Sequence, residues 1–185
     1  MSVDQLHITR LFQQIHCGNE AALWDLHTGY FHRLFRFVLS LTGNRECTEE
    51  VVNDTFLDIW QHRASLKNVD NEEVYLFICA KNRALKQIRK TDNYYRLLEH
   101  IHDFPCSLER TPHDLMVSSE IQHRINAAIQ SLPLQCKLIF SLVKENNLKY
   151  REVACILGIS VKTVENQMSI ALKKLSRSVP LLLVR

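Results

Sequence analysis

The chain has 185 residues, a formal net charge of +3 and a hydrophobic fraction of 46%. That fraction is too high for a disordered chain, and the length accommodates one ordinary domain or two small ones. Glycine and proline number only four each. Because a β-rich protein with many tight turns needs more of both, the composition favours an all-α fold.

Charge is distributed unevenly along the chain. Residues 1–60 hold eight acids and four bases, whereas residues 61–98 hold eight bases and four acids. An acidic segment followed by a basic one suggests surfaces for different partners. Two ordinary solvated faces would have the same composition, so charge alone leaves both alternatives open.

Membrane and secretory classes are not favoured. No apolar segment approaches the ~20 residues that cross a bilayer, and the first residues lack the pattern of a signal peptide. The six cysteines are widely spaced, with no CxxC pair, and most have apolar neighbours. We therefore expect a cytoplasmic protein with reduced and mostly buried cysteines.

The first half shows helical periodicity. Apolar residues from Leu23 to Leu41 recur at steps of three or four, which predicts a helix with Asn19 as its N-cap and Gly43-Asn44 at its end. A second helix is expected at about residues 46–63, with acids in its first turn.

A third helix is expected after a short polar loop. Asp70 and Glu73 have the spacing of a capping box, which predicts a helix from there to about Lys90. Helical periodicity then disappears between about residues 100 and 118, where two prolines interrupt a polar segment.

We therefore predict two small helical domains, residues 1–97 and 119–185, joined by a flexible linker at 98–118. In the second domain one helix should stop at Leu132-Pro133, and three shorter helices should follow at about 133–145, 149–157 and 160–177.

The last two of these helices form a predicted helix-turn-helix. Gly158 is expected to end the first helix, which buries Val153, Ala154 and Leu157, and Ser160 is expected to cap the second. A short turn with glycine between two helices is typical of a motif whose second helix enters the DNA major groove. The buried stripe of that second helix should be Val164, Met168, Ala171 and Leu175.

The opposite face of the second helix is polar. Asn166 can pair with adenine and Glu165 can accept from cytosine, whereas lysines and arginines hold phosphates. The candidate DNA-binding residues are Lys149, Arg151, Lys162, Thr163, Glu165, Asn166, Ser169 and Lys173. The alternative is that this polar face only meets water, as on any amphipathic helix.

The helix at 46–63 has a second distinctive face. Val52, Phe56, Ile59 and either Trp60 or Arg63 should be buried. The other side groups four polar residues around an exposed leucine, which suits protein binding: Glu50, Asn53, Asp54, Leu57 and Gln61. The alternative is a solvated acidic face with Leu57 partly tucked in. No nucleophile or second carboxylate group converges there, so we do not expect an enzyme.

Two segments resemble extracytoplasmic-function (ECF) sigma factors, the subunits that direct bacterial RNA polymerase to promoters. Residues 49–60 (EEVVNDTFLDIW) resemble the family's polymerase-binding helix, and residues 74–90 are similar to the helix that follows it. Residues 150–154 (YREVA) and 159–166 (ISVKTVEN) resemble its C-terminal domain. The sequence of the C-terminal helix most resembles that of members from the Bacteroidetes. The resemblance covers about residues 8–97 and 119–177.

The resemblance implies roles for the matching positions. The face containing Leu57 would bind the clamp of the largest polymerase subunits, and the C-terminal helix would bind the minus-thirty-five element. The expected minus-ten residues lie in the loop and on the helix after it: Lys67, Asn68, Asp70, Asn71, Arg83, Lys86, Arg89 and Lys90. The resemblance also implies two further partners, promoter DNA and an anti-sigma protein. Many anti-sigma proteins of this family sit in the inner membrane.

The chain departs from the family pattern at two points. Asn53 stands where the family usually has Gln, which shortens one polymerase-binding side chain. The recognition helix contains little arginine, which leaves the base-reading residues open.

Two alternatives to this interpretation are a response regulator and a zinc-binding protein. A response regulator with a similar output domain would need alternating strands and an acidic pocket in residues 1–97, and neither is apparent. His100, His102, Cys106 and His113 match no common zinc spacing, so no metal or other cofactor is expected.

Overall fold

The computed structural model describes residues 3–90, 127–129 and 131–178. The chain divides into two compact units, residues 1–99 and 100–185. Every regular element among the described residues is helical, so the predicted all-α class is confirmed. The expected linker at 98–118 lies outside these residues, and the boundaries at 97 and 119 stay predictions. Among the described helices, none is both long and apolar enough to span a bilayer.

The N-terminal unit is built from α-helices α1 (Val3–His16), α2 (Glu20–Thr42), α3 (Arg45–Gln61) and α4 (Glu72–Lys90), with a 3-10 helix (Arg63–Asn68) before α4. Helix α1 was not predicted from the sequence. Its signal was nevertheless present, because its buried residues have helical spacing: Ile8, Leu11, Phe12 and Ile15.

Helices α2 and α3 form an antiparallel hairpin, because only two residues connect them and they pack together. The Asn19 side chain accepts the N–H of Ala21 at 3.0 Å, which confirms the predicted N-cap. Gly43 ends α2 with φ of 64°. Asn44 then caps α3 by accepting the N–H of Cys47 at 2.8 Å. The turn residues thus fix the direction in which α3 leaves α2.

The core of this unit lies between α2, α3 and α4. Phe37 and Phe77 meet edge to face, with ring centroids 5.3 Å apart. The predicted buried face of α3 is confirmed, because Val52, Phe56 and Ile59 are all at most 3% exposed. Trp60 is half-buried, and the guanidinium of Arg63 lies 4.8 Å from the centre of its ring.

The start of α4 differs from the prediction. Asn71, not Asp70, caps the helix: its side-chain oxygen accepts the N–H of Val74 at 3.0 Å, and its carbonyl accepts the N–H of Tyr75 at 3.0 Å. Asp and Asn are both good N-cap residues, so composition alone did not determine which of the two neighbours occupies the cap.

In the C-terminal unit, a helical segment at 127–129 precedes α5 (Leu134–Lys144), α6 (Tyr150–Leu157) and α7 (Val161–Ser178). Helical structure is interrupted at Leu132-Pro133, as predicted. Leu132, Cys136 and Ala171 form a buried cluster against which Phe140 packs. Val164 and Met168 are buried on α7 as expected, whereas Leu175 is only half-buried.

Two packing expectations need correction. Helix α6 buries Ile156 completely, whereas Leu157, predicted to be buried, is the last residue of the helix and is half-buried. Cys136 is buried, but Cys17 and Cys155 are exposed. An apolar neighbourhood in sequence therefore did not place these two thiols in the core.

Candidate polymerase-binding and DNA-binding surfaces

Helices α6 and α7 form the predicted helix-turn-helix. Gly158 ends α6 in the left-handed conformation, with φ of 68°, a backbone state that glycine adopts without steric cost. The Ser160 hydroxyl then accepts the N–H of Thr163 at 3.0 Å and caps α7. The Lys149 backbone N–H donates to the Glu152 carboxylate at 2.7 Å, which stabilises the start of α6. These local bonds fix how α7 presents its outer face.

The outer face of α7 is polar and exposed. Lys162, Asn166 and Lys173 lie on the same side at spacings of four and seven residues. All but one of the predicted DNA-binding residues of this unit are exposed: Lys149, Arg151, Lys162, Glu165, Asn166, Ser169 and Lys173. The exception is Thr163, which is half-buried, with its hydroxyl 2.8 Å from that of Ser160.

Two features of α7 were not anticipated. Lys162 and Glu165 form an ion pair at 3.3 Å with side chains 77% and 46% exposed. Solvent screens such a pair, so it costs little to exchange it for a nucleic-acid contact. Ile170 and Leu172 are each 47% exposed, and an exposed aliphatic side chain can contact a thymine methyl group.

The outer face of α3 carries the residues predicted to bind polymerase. Leu57 is 54% exposed, so it is not tucked into the core. Glu50 and Gln61, at helical spacing on either side of Leu57, are also exposed. An exposed leucine between polar side chains is a surface suited to a protein partner, because binding removes its apolar area from water.

Helix α2 extends this face on one side. The Nε2 atom of His27 donates to the side-chain oxygen of Asn53 at 3.3 Å. Trp24 stacks on His27, with ring centroids 5.6 Å apart and planes within 12°, and it is 69% exposed. Trp24 precedes His27 by about one turn, and Leu57 follows Asn53 by about one turn. Because α2 and α3 are antiparallel, Trp24 on α2 and Leu57 on α3 lie on the same side of the His27–Asn53 hydrogen bond.

Trp24 was not singled out from the sequence. It lies off the buried stripe of α2, about 200° around the helix from Leu26, so helical spacing alone places it on the outer face. Large exposed aromatic residues are enriched among those that dominate protein–protein binding.

Helix α4 borders the other side of the α3 face. Arg83 donates through Nη2 to Asp54 at 2.6 Å and through Nη1 to Asp58. The hydrogen bond to Asp54, followed by the bond and the charge of Asp58, raises the pKa of Arg83, whereas partial burial opposes that rise. One turn further along α4, Gln87 donates to Glu50 at 3.4 Å. The structure thus joins Arg83, predicted to contact DNA, to Asp54, predicted to contact polymerase.

The other bases of α4 that were predicted to contact DNA are exposed. Lys86, Arg89 and Lys90, with Asn82 and Leu85, line an open depression near the end of the helix. Flexible cations around a shallow depression suit a phosphate backbone, which is bound by charge rather than by shape.

The predicted minus-ten loop contains the 3-10 helix and the start of α4. Lys67, Asn68 and Asp70 are exposed, and Leu66 anchors the loop in the core at 4% exposure. Asn71 is half-buried, and its side-chain oxygen is used by the cap of α4. The loop therefore brings three of its four predicted residues to the surface.

The histidine-rich set at His100, His102, Cys106 and His113 lies outside the described residues. Within them, no three His, Cys, Asp or Glu side chains are grouped as metal ligands.

Comparison with known proteins assigns both units. Residues 26–94 match the family model for sigma-70 region 2, and residues 122–175 match that for sigma-70 region 4. Together they cover about two thirds of the chain. A sigma region therefore occupies the place where a response regulator would have its receiver domain, and that rival class is not favoured.

Several curated relatives are ECF RNA polymerase sigma factors. SigE of Mycolicibacterium smegmatis is 24% identical over 82% of this chain and 60% of its own length. SigM of Bacillus subtilis is 22% identical over 74% of this chain and 82% of its own. SigW of Bacillus subtilis is 22% identical over 89% and 92%. The chain thus spans less than two thirds of SigE but most of SigM and SigW.

Solved structures share the fold. CnrH, solved in complex with the cytosolic domain of CnrY, has a TM-score of 0.60 at 20% identity over 92% of this chain and 96% of its own. RpoE of Bartonella quintana, solved with the anti-sigma factor NepR, has a TM-score of 0.60 at 21% identity over 85% and 98%. With a region 2 followed by a region 4, and with curated relatives that are ECF sigma factors, the chain belongs to the ECF sigma factors, which are not in general an enzyme class.

Proposed function

We propose that this chain is an alternative sigma factor that joins core RNA polymerase through the outer face of α3 and directs it to promoters through α4, the preceding loop and α7. The observation that carries the proposal is the pairing, in one chain, of an exposed leucine among acids with a separate helix-turn-helix. A DNA-binding regulator without a polymerase partner has no need of the first surface.

Polymerase binding would rest on Leu57 at the centre of the face, with Glu50 and Asp54 supplying negative charge. Burial of Leu57 contributes affinity through the apolar area removed from water, and the carboxylates steer and orient a basic partner surface. Trp24 would add a second apolar anchor on the α2 side.

Promoter binding would be divided between the units. Lys86, Arg89 and Lys90 would follow the phosphates near the minus-ten element, and the loop at 67–71 would hold an unpaired base. Extruding a base costs a few kcal/mol, which such contacts offset. In the C-terminal unit α7 would enter the major groove at the minus-thirty-five element, with Asn166 and Glu165 facing base edges.

Control would come from a separate anti-sigma protein acting in the cytoplasm, where core polymerase is found. The support is that the similar structure of RpoE was solved with the anti-sigma factor NepR, and that of CnrH with the cytosolic domain of CnrY. The proposed role involves no catalysis and no cofactor by this chain, because polymerase itself carries out the chemistry.

The test is assembly with the cognate core polymerase. The double variant Asp54→Arg, Leu57→Ala replaces a carboxylate with a positive charge, which repels the basic partner surface, and removes the apolar centre of the face. We expect it to keep its helicity and to bind core polymerase at least about a hundredfold more weakly, in line with a central interface anchor and a reversed charge.

A matched control changes the same residue types elsewhere. Asp25→Arg with Leu6→Ala alters an exposed acid and a leucine that is 58% exposed, both away from α3, and should bind as the wild type does. Equal affinity of the two double variants would contradict the assignment of this face.

A further inference from the structure

The family resemblance implied a DNA contact for Arg83, but its surroundings differ from those of Lys86, Arg89 and Lys90. Its side chain is 30% exposed and faces two carboxylates of α3, Asp54 and Asp58, that are 35% and 37% exposed. The side chains of Lys86 and Arg89, in contrast, are exposed. Arg89 also lies about 120° around the helix from Arg83.

The guanidinium of Arg83 has the geometry of a fork. One terminal nitrogen reaches each carboxylate, with Nη2 at 2.6 Å from Asp54 and Nη1 on Asp58. Asp54 and Asp58 are separated by one turn of α3, so their charges repel each other. A single cation between them removes that repulsion and fixes both side-chain orientations.

We propose that Arg83 is a positioning residue of the polymerase-binding face and not a DNA contact. It holds the Asp54 carboxylate in the orientation that the partner meets, so that less side-chain freedom is lost on binding. A carboxylate accepts several hydrogen bonds, so Asp54 can accept one from a partner while Arg83 holds it. This inference rests on the proposed function of the α3 face.

Two substitutions of Arg83 distinguish the effect of its forked geometry from the effect of its positive charge. Arg83→Lys keeps the positive charge but lacks the fork that joins two carboxylates, whereas lysine serves well at a phosphate. We expect Arg83→Lys to weaken binding to core polymerase about three- to tenfold, the range for one freed side chain. Promoter binding by holoenzyme assembled at saturating sigma should be unchanged. Arg83→Gln should behave in the same direction, although the loss of one positive charge speeds encounter with a basic partner.

The matched control is Arg89→Gln, which removes the same cation from the exposed side of α4. It should leave core-polymerase affinity unchanged and weaken promoter binding by the assembled holoenzyme. Circular dichroism and thermal melting of each variant establish that the helices are intact.

A positioning role is distinguished from a merely structural one by coupling. If Arg83 acts through Asp54, then Arg83→Lys should lose most of its effect in an Asp54→Asn background, because no carboxylate remains to be oriented there. Full additivity of the two changes would overturn the proposal. So would an Arg83→Lys protein that binds polymerase normally, or an Arg83→Gln protein that fails only at the promoter.

The same assay includes the Asp54→Arg, Leu57→Ala protein. If that protein is defective while Arg83→Lys is not, the positioning role fails and the polymerase-binding face stands. If that protein binds normally, the face itself is wrong and the role of Arg83 is overturned with it.

Discussion

His27 and Asn53 connect α2 to α3 through a side-chain hydrogen bond of 3.3 Å. His27 also lies against Phe56, with ring centroids 4.8 Å apart, so the imidazole is held from two sides. Trp24 stacks on this held ring, which orients a side chain that is 69% exposed. An exposed aromatic residue that is already ordered loses little entropy on binding.

We therefore expect Trp24→Ala to weaken binding to core polymerase about tenfold, or about 1.4 kcal/mol, as for an aromatic residue beside the central anchor of an interface. Leu6→Ala provides the control, because Leu6 is 58% exposed on α1 and outside the face. Isothermal titration or fluorescence anisotropy with labelled chain would measure both. Equal affinities for the two variants would remove Trp24 from the interface.

On α7, base reading and phosphate binding should separate by substitution. Asn166 and Lys173 are both exposed on the outer face. Asn166→Ala should relax preference at one base pair, at about 1–3 kcal/mol for a bidentate contact. Lys173→Ala should weaken all sequences alike and lower the salt slope by about one. Selection of binding sites with each variant checks this, and identical preferences in the two would contradict the division of roles.

The turn of the helix-turn-helix gives a stability prediction. Gly158 has φ of 68°, and a Cβ added there meets nothing within 4 Å. The cost of Gly158→Ala is therefore conformational, about 1–2 kcal/mol. Gly29→Ala, inside α2 and equally unobstructed, should stabilise its unit by about 0.5–1 kcal/mol. Urea unfolding measures both, and a change of the same sign in the two would contradict the backbone assignment.

The cap of α4 gives a second stability prediction. Asn71→Ala should destabilise the N-terminal unit by about 1 kcal/mol, because it removes the acceptor for the Val74 N–H. Asp70→Ala should change stability by only a few tenths of that, since Asp70 is exposed and outside the cap. The reverse order of effects in thermal melts would restore the capping box predicted from sequence.

Local sequence signals predicted much of the fold. Asn19, Gly43 and Ser160 occupy the cap positions expected of them, because each acts through bonds to residues within four positions. The exposure of Leu57 also followed from helical spacing alone. The signal for α1 was of the same local kind and was overlooked.

Contacts between helices could not be predicted in this way. Arg83 is 29 residues from Asp54 and 25 from Asp58, and their pairing depends on the rotation of α4 against α3. Likewise, Ile156 is fully buried and Leu157 only half-buried in α6, although both lie close to Val153 on the helix. Helical periodicity defines a face to within about one residue, whereas these assignments need a finer phase.

The central claim is that this chain makes core RNA polymerase initiate at specific promoters, and run-off transcription tests it most directly. Fragmented genomic DNA is transcribed by the cognate core polymerase with and without the purified chain, and the 5′ ends of the products are mapped. We expect discrete new start sites that share upstream elements and that disappear with the Asp54→Arg, Leu57→Ala protein. An identical set of start sites with and without the chain would contradict it.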